Sequence, residues 1–160
     1  RLADAANPIW RAFSRVVAMP RVSAVAMRFA TWVDRPLLRV SRGRLRLSFV
    51  IPCLLLRVRG AKSGALREVP LLYVPDGEDV LLVGSGGGAA RRPVWCTNLE
   101  ANPAVETLRK GKVERRTAEK LSGAARTAAW SLAVRTYPGY ASYQARVSRE
   151  IPVYRLRRTS

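Results

Sequence analysis

Arg59-Gly60-Ala61-Lys62-Ser63-Gly64-Ala65-Leu66-Arg67-Glu68-Val69-Pro70-Leu71 connects two apolar runs, Leu54 to Val58 and Leu71 to Val74. Runs of that length, separated by Gly and Ser-Gly, predict two strands joined by a tight turn. Glycine lets a backbone approach a ligand closely and turns amide groups outward. Lys62 and Arg67 put positive charge at the same place. Concave amides edged by cations make a site for an anion such as a phosphate. An ordinary hairpin with solvated charges is the plainer reading of the same residues.

Moving outward, the strand pattern continues on both sides. Leu54, Leu56 and Val58 alternate with Leu55, Arg57 and Arg59, which predicts one dry face and one that becomes wetter toward the turn. Pro70 cannot donate to a ladder, so Val69 to Val74 is expected at an edge or a bulge. Asp76-Gly77 is a hairpin turn, and Val80 to Val83 is a third strand, apolar on both faces. It runs into Gly84-Ser85-Gly86-Gly87-Gly88-Ala89-Ala90-Arg91-Arg92-Pro93. Glycines so dense cost entropy and pack nothing themselves, so something is expected to lie against that backbone. A flexible loop without a ligand is the alternative. The Walker pattern is absent and no GxGxxG opens a helix, which argues against a P-loop and a Rossmann domain.

Pro93 suits the first turn of a helix over Val94 to Ala101, ended by Asn102-Pro103. Trp95, Asn98 and Leu99 share one face of it. Val105 to Lys120 reads as a second hairpin, turning at Lys110-Gly111. Leu121, Ala125, Ala128, Ala129 and Leu132 mark an amphipathic helix. In Tyr137-Pro138-Gly139-Tyr140-Ala141-Ser142-Tyr143, a helix opened by Pro138 puts Tyr140 and Tyr143 on one face. These tyrosines are core residues or an aromatic wall beside a ligand. Ile151 to Leu156 is a last strand, six in all. Upstream, residues 7 to 33 read as one or two amphipathic helices, and residues 35 to 46 form an arginine-rich connector. A Trp-bearing stripe edged by Arg21 and Arg28 suits a bilayer headgroup region, or docks on the protein's own core.

The 160 residues are the size of one domain, and 48% hydrophobic content supports a substantial core. With 29 Lys plus Arg against 11 Asp plus Glu, the formal charge is +18, a field that attracts polyanions. Histidine is absent, which excludes a Ser-His-Asp triad, a Cys-His pair and every His-ligated metal site. No metal site is expected. An enzyme of this composition leaves the hard chemistry to a bound cofactor. Cys53 and Cys96 form no CxxC pair, so a reduced, cytoplasmic protein is the simplest expectation. No apolar run reaches the roughly 18 residues of a membrane span, and Arg11 and Arg15 interrupt any signal-peptide core. A chain beginning at Arg1 rather than Met predicts that something upstream has been removed.

Three motifs carry a resemblance. Arg59-Gly60-Ala61-Lys62-Ser63-Gly64 with Arg67 and Pro70-Leu71 is similar to a GRKSG-x-x-R-x-x-PL motif. Gly84-Ser85 through Pro93-x-Trp95-x-x-Asn98-Leu99-x-Ala101-Asn102-Pro103 is similar to a second motif of the same family. Tyr137-Pro138-x-Tyr140-x-x-Tyr143-Gln144 with Ile151-Pro152-Val153 is similar to a third. Over residues 47 to 157 the chain resembles the deazaflavin-dependent nitroreductases, relatives of the flavin-binding split β-barrels.

The resemblance implies a mainly β, α+β fold: a split β-barrel over residues 47–160, with flanking helices. Residues 1–46 form an amphipathic, basic N-terminal segment, expected to touch an anionic membrane on its inner face. It further implies reduced coenzyme F420, a deazaflavin with a phosphate and an oligoglutamate tail, giving hydride to a quinone or nitroaromatic acceptor. By matching position, Lys62, Ser63, Gly64 and Arg67 hold the phosphate, while Pro70, Leu71, Trp95 and Asn98 line the ring. Gly84, Gly86, Gly87, Arg91 and Arg92 complete the cofactor side. Ser85, Tyr137, Tyr140 and Tyr143 border the acceptor. Three positions depart from the family pattern: Ala61 where Arg is usual, Gly86 where Lys is common, and Cys96 in place of an aromatic. The loss of Lys at Gly86 shifts the expected tail contacts to Arg91 and Arg92. Two other readings stand beside this one: a split-barrel protein that binds flavin or another ligand without turnover, and a basic nucleic-acid binder. No RNP1-like strand motif or zinc-finger spacing supports the last, and no nucleic-acid partner is expected.

Overall fold

The computed structural model describes residues 52–159. The expected N-terminal helices, the basic connector and their membrane contact lie outside the described residues. The described chain runs β1 (Cys53–Arg59), β2 (Leu66–Leu72), β3 (Val74–Asp76), β4 (Asp79–Val83), α1 (Val94–Ala101), β5 (Ala104–Arg109), β6 (Lys112–Lys120), α2 (Gly123–Thr136), α3 (Gly139–Ala145) and β7 (Val153–Arg158).

All pairings are antiparallel, in the order β2-β1-β5-β6-β7-β4-β3. The two strands at the ends of that order are consecutive in the chain and one residue apart. A flat sheet cannot bring them together, so the sheet curls into the expected split barrel. Where the sequence predicts one strand over Val69 to Val74, the structure has two. The break falls at Tyr73, whose amide makes the last bond of the β1–β2 register, to Pro52 O at 3.1 Å; Pro52 has no N–H to return, and from Val74 the chain pairs with β4. Six expected strands thereby become seven. Pro70 lies on an edge strand opposite Leu55, where its missing N–H costs no ladder bond. At the β5–β6 turn, Lys110 and Gly111 both take positive φ, 49° and 80°, the geometry of a tight two-residue hairpin.

Alternation along the strands divides the interior into two apolar bodies. Leu54, Leu56 and Val58 of β1, Val80 and Leu82 of β4, and Tyr154 and Leu156 of β7 fill the barrel beneath Trp95, Cys96 and Leu99 of α1. Leu81 and Val83 face the other way, against Ala129 and Ala133 of α2, the three tyrosines and Ile151. The expectation that Val80 to Val83 is apolar on both faces holds because each face meets a different core. One cation is fully enclosed. Arg116 donates to Glu78 O and Leu156 O at 3.0 Å each, and to Glu114 Oε2 at 2.7 Å. Burial alone raises the Glu114 pKa, but the Arg116 hydrogen bond and charge outweigh it and hold the carboxyl below its usual range.

Gly84 ends β4 where three elements converge. A Cβ there would sit 2.8 Å from both Cys96 Sγ and Pro152 Cγ. Gly84→Ala is therefore expected to cost about 1–3 kcal/mol by overpacking, read as a fall in the thermal midpoint of roughly 3 °C or more. An unchanged midpoint would show that the α1–β7 junction yields freely.

Candidate active site

The first turn folds as its sequence predicts. Gly60 N donates to Ala65 O and Gly64 N to Gly60 O, both at 2.9 Å, with Gly64 at φ 64°. Lys62, Ser63, Gly64 and Arg67 are exposed around it. Two asparagines then fasten α1 to this turn. Ala61 N donates to Asn98 Oδ1 at 3.0 Å, and Asn102 Nδ2 donates to Arg59 O at 3.2 Å. Pro93 and Asn102 bound the helix as the sequence predicts.

Between α1 and β2 lies a cleft of about 490 Å³ lined by Arg67, Glu68, Val69, Pro70, Val94, Trp95 and Asn98, with Glu68 paired to Arg57. Four residues that the motifs assign to the cofactor, Arg67, Pro70, Trp95 and Asn98, thus meet across one space. Trp95 is buried and braced edge-on against Tyr154, ring centroids 5.6 Å apart. Asn98 accepts from Ala61 through Oδ1, leaving Nδ2 to donate. An apolar wall, one amide donor and a cationic mouth suit a planar ring carrying an anionic tail. Leu71, expected in the ring-binding set, packs against the barrel core.

The glycine loop, residues 84–92, is held from behind. Arg149 donates through Nε to Ala90 O (3.1 Å), through Nη1 to Gly84 O (3.3 Å), and through Nη2 to Ser85 O (3.1 Å) and Ala89 O (3.0 Å). Gly86, Gly87 and Gly88 take φ of 58°, 67° and 81°, which side chains rarely adopt. Ser85 is buried at the loop's start. Arg91 is exposed. Arg92 is committed to α1, donating to Glu100 Oε1 at 2.6 Å and Thr97 Oγ1 at 3.0 Å. The loop therefore has a structural partner in the protein itself, which the density of glycines alone did not identify. Arg149 carries no motif signal of its own. Its position three residues beyond Arg146, after the tyrosine helix, is the one sequence clue.

Tyr137, Tyr140 and Tyr143 form one buried cluster. The hydroxyls of Tyr137 and Tyr143 are 3.0 Å apart, and Tyr137 and Tyr140 pack edge to face at 5.2 Å. Burial raises the pKa of Tyr137 and Tyr140, so both stay protonated through ordinary pH. The cluster meets the glycine loop through Arg146, which lies over the Tyr143 ring at 4.9 Å and donates to Gly87 O at 3.4 Å.

Under α1, Glu100 receives Tyr154 Oη (2.7 Å) and Arg92, and pairs with Lys120 Nζ at 3.3 Å. Burial opposes its charge, but these bonds hold its pKa below the usual carboxylate range. Cys96 sits beside this network, and burial pushes its thiol up to about 11. Iodoacetamide at pH 8 is therefore expected to leave Cys96 unmodified in the native protein and to alkylate it after unfolding. Native alkylation, read by mass spectrometry of the Cys96 peptide, would contradict its burial.

A second groove of about 420 Å³ runs past Arg57, Arg59, Arg115 and Arg116. Arg57 is paired with Glu68 and Glu106, and Arg116 with Glu114, so much of its charge is neutralised. That pairing weakens the nucleic-acid reading. Among the described residues no acidic or cysteine cluster could hold a metal ion, and no helix is long and apolar enough to cross a membrane.

The F420H(2)-dependent quinone reductase family matches residues 17–157. The chain is 37% identical to an F420H(2)-dependent quinone reductase of Mycobacterium tuberculosis strain H37Rv over 127 residues, 75% of this chain and 84% of that protein. A solved F420-H2 dependent reductase (FDR-A) superposes at TM-score 0.62 with 42% identity, covering 66% of this chain and 93% of the other. A second structure, described as a domain-swapped dimer, superposes at 0.64 with 38% identity, over 78% of this chain and 96% of the other. The curled seven-stranded sheet, the cleft with its cationic mouth and these likenesses agree: the chain belongs to the F420H(2)-dependent quinone reductase family, an oxidoreductase lineage whose reductant is reduced F420.

Proposed function

We propose that the cleft between α1 and β2 holds the deazaflavin ring, with Trp95 and Pro70 against it and Asn98 Nδ2 donating to it. Lys62 and Arg67, with the backbone at Ser63 and Gly64, take the phosphate. When bound, reduced F420 supplies a hydride, and a quinone accepts it. The protein's share is to fix donor and acceptor in reacting geometry, which is mostly positioning. Ser85, Tyr137, Tyr140 and Tyr143 border the acceptor, while Gly84, Gly86, Gly87, Arg91 and Arg92 complete the cofactor side. Nitroaromatic compounds are adventitious acceptors of the same site. The observation that carries this reading is the convergence of Arg67, Pro70, Trp95 and Asn98, distant in sequence, on one cleft.

Residues 47–160 are the catalytic unit in this reading. Residues 1–46 are an appended segment that touches anionic membrane on the cytoplasmic side. Equal sedimentation with and without anionic liposomes at low salt would contradict that contact.

The central test mixes the protein with reduced F420 and menadione and follows cofactor absorbance, beside parallel titrations of F420 and FMN. Quinone-dependent oxidation and tighter binding of F420 are expected. Binding without oxidation across several quinones would leave a ligand-binding protein. Preference for FMN would overturn the cofactor assignment.

A further inference from the structure

Two arginines from the end of the tyrosine helix reach the glycine loop, and they differ in what they have left to give. Arg149 directs four hydrogen bonds at loop carbonyls, nearly the whole capacity of a guanidinium. Arg146 makes one long bond, to Gly87 O at 3.4 Å, and its buried Nε has no partner among the described residues. Its guanidinium lies 3.1–3.2 Å from where a Cβ on Gly88 would stand, so glycine is what lets it reach the loop. The Tyr143 ring supports it from beneath at 4.9 Å. An arginine with donors to spare, held on an aromatic ring of the acceptor wall, has what an oxyanion needs.

We propose that Arg146, standing on the ring of Tyr143 at the acceptor side, binds the oxygen of the acceptor that becomes negative on reduction. The inference rests on the proposed quinone chemistry. Breaking the donor's C–H bond moves two electrons and a proton, as hydride, to the quinone. The donor's N–H proton passes to water, so that F420 would be left oxidised, and the quinone becomes a hydroquinone monoanion. A second proton from water then completes the hydroquinone. Until it arrives, one oxygen bears the charge, and donors aimed there lower the barrier most. Arg146 touches that oxygen, whereas Arg149 is a positioning residue that acts through the loop.

The test uses the full chain and two probes, menadione, which is neutral, and 2-hydroxy-1,4-naphthoquinone, an anion at neutral pH. Affinity for each is read by quenching of tryptophan fluorescence, and turnover with reduced F420 is followed beside it. Arg146→Gln is expected to lose roughly tenfold to a hundredfold in affinity for the anionic probe. Its affinity for menadione should change less than twofold. Its kcat should fall by a similar factor, with little change in the KM for F420. Arg146→Lys, which keeps the charge, should recover part of both losses and serves as the informative variant if Arg146→Gln does not fold. Equal loss for the two probes, or loss for neither, overturns the proposal. The binding contrast is read without turnover, so it decides the role of Arg146 even where quinone reduction itself fails.

Discussion

Arg149→Ala is expected to lower kcat/KM by about a hundredfold, because small displacements of positioning groups carry costs of that order. One guanidinium binds the carbonyls of Gly84, Ser85, Ala89 and Ala90. Its removal leaves the Gly84, Ala89 and Ala90 carbonyls without their partner, of which Gly84 is buried, while Ser85 O keeps the Gly88 amide at 3.0 Å. Each buried acceptor left unpaired costs about 1–3 kcal/mol. The loop, with three successive glycines at positive φ, has little intrinsic preference to keep it in place. A lower thermal midpoint and faster proteolysis within residues 84–92 should accompany the loss of activity. Arg149→Lys should rescue little, since a point-like ammonium with three donors cannot replace a planar fork. Activity within twofold of the original in Arg149→Ala would show that the loop holds its shape without the clamp.

The second large effect concerns the cationic mouth. Lys62→Ala and Arg67→Ala are each expected to weaken F420 binding about tenfold, and together about a hundredfold. A hydrogen bond to a charged group contributes about 1.5–3 kcal/mol, and both residues are exposed, so solvent screening reduces that figure. The loss should shrink as ionic strength rises, because the original protein loses the same attraction to salt. A truncated deazaflavin lacking the phosphate and tail should bind the original and the double variant alike. If the truncated ligand is weakened just as much, the two cations act on the ring or on folding, and the phosphate assignment falls. Lys62→Ala alone touches no buried contact and isolates the charge from packing.

Local chemistry wrote much of this protein. The Gly60–Ala65 turn, the Lys110-Gly111 hairpin, the Pro93 and Asn102 bounds of α1 and the opening of α3 at Pro138 all follow from residues acting within a few positions of themselves. The apolar pattern of Val80 to Val83 on both faces was legible too, and the structure gives each face its own core. Three motifs in order pointed to the fold, the coenzyme and the cleft residues.

What only the folded chain decided are contacts between residues far apart in sequence. A run that reads as one strand breaks at Tyr73, because the β1–β2 register ends at Pro52, which has no N–H to return, and the chain is needed at both edges of a curled sheet. Arg92, expected to serve a ligand, is claimed by Glu100 and Thr97. Arg146 and Arg149 belong to none of the three motifs, yet they cross some sixty positions to the glycine loop. Periodicity and turn chemistry are local and leave their mark on neighbouring letters. A guanidinium's choice of distant carbonyls is made only when the barrel closes, and no spacing in the sequence records it.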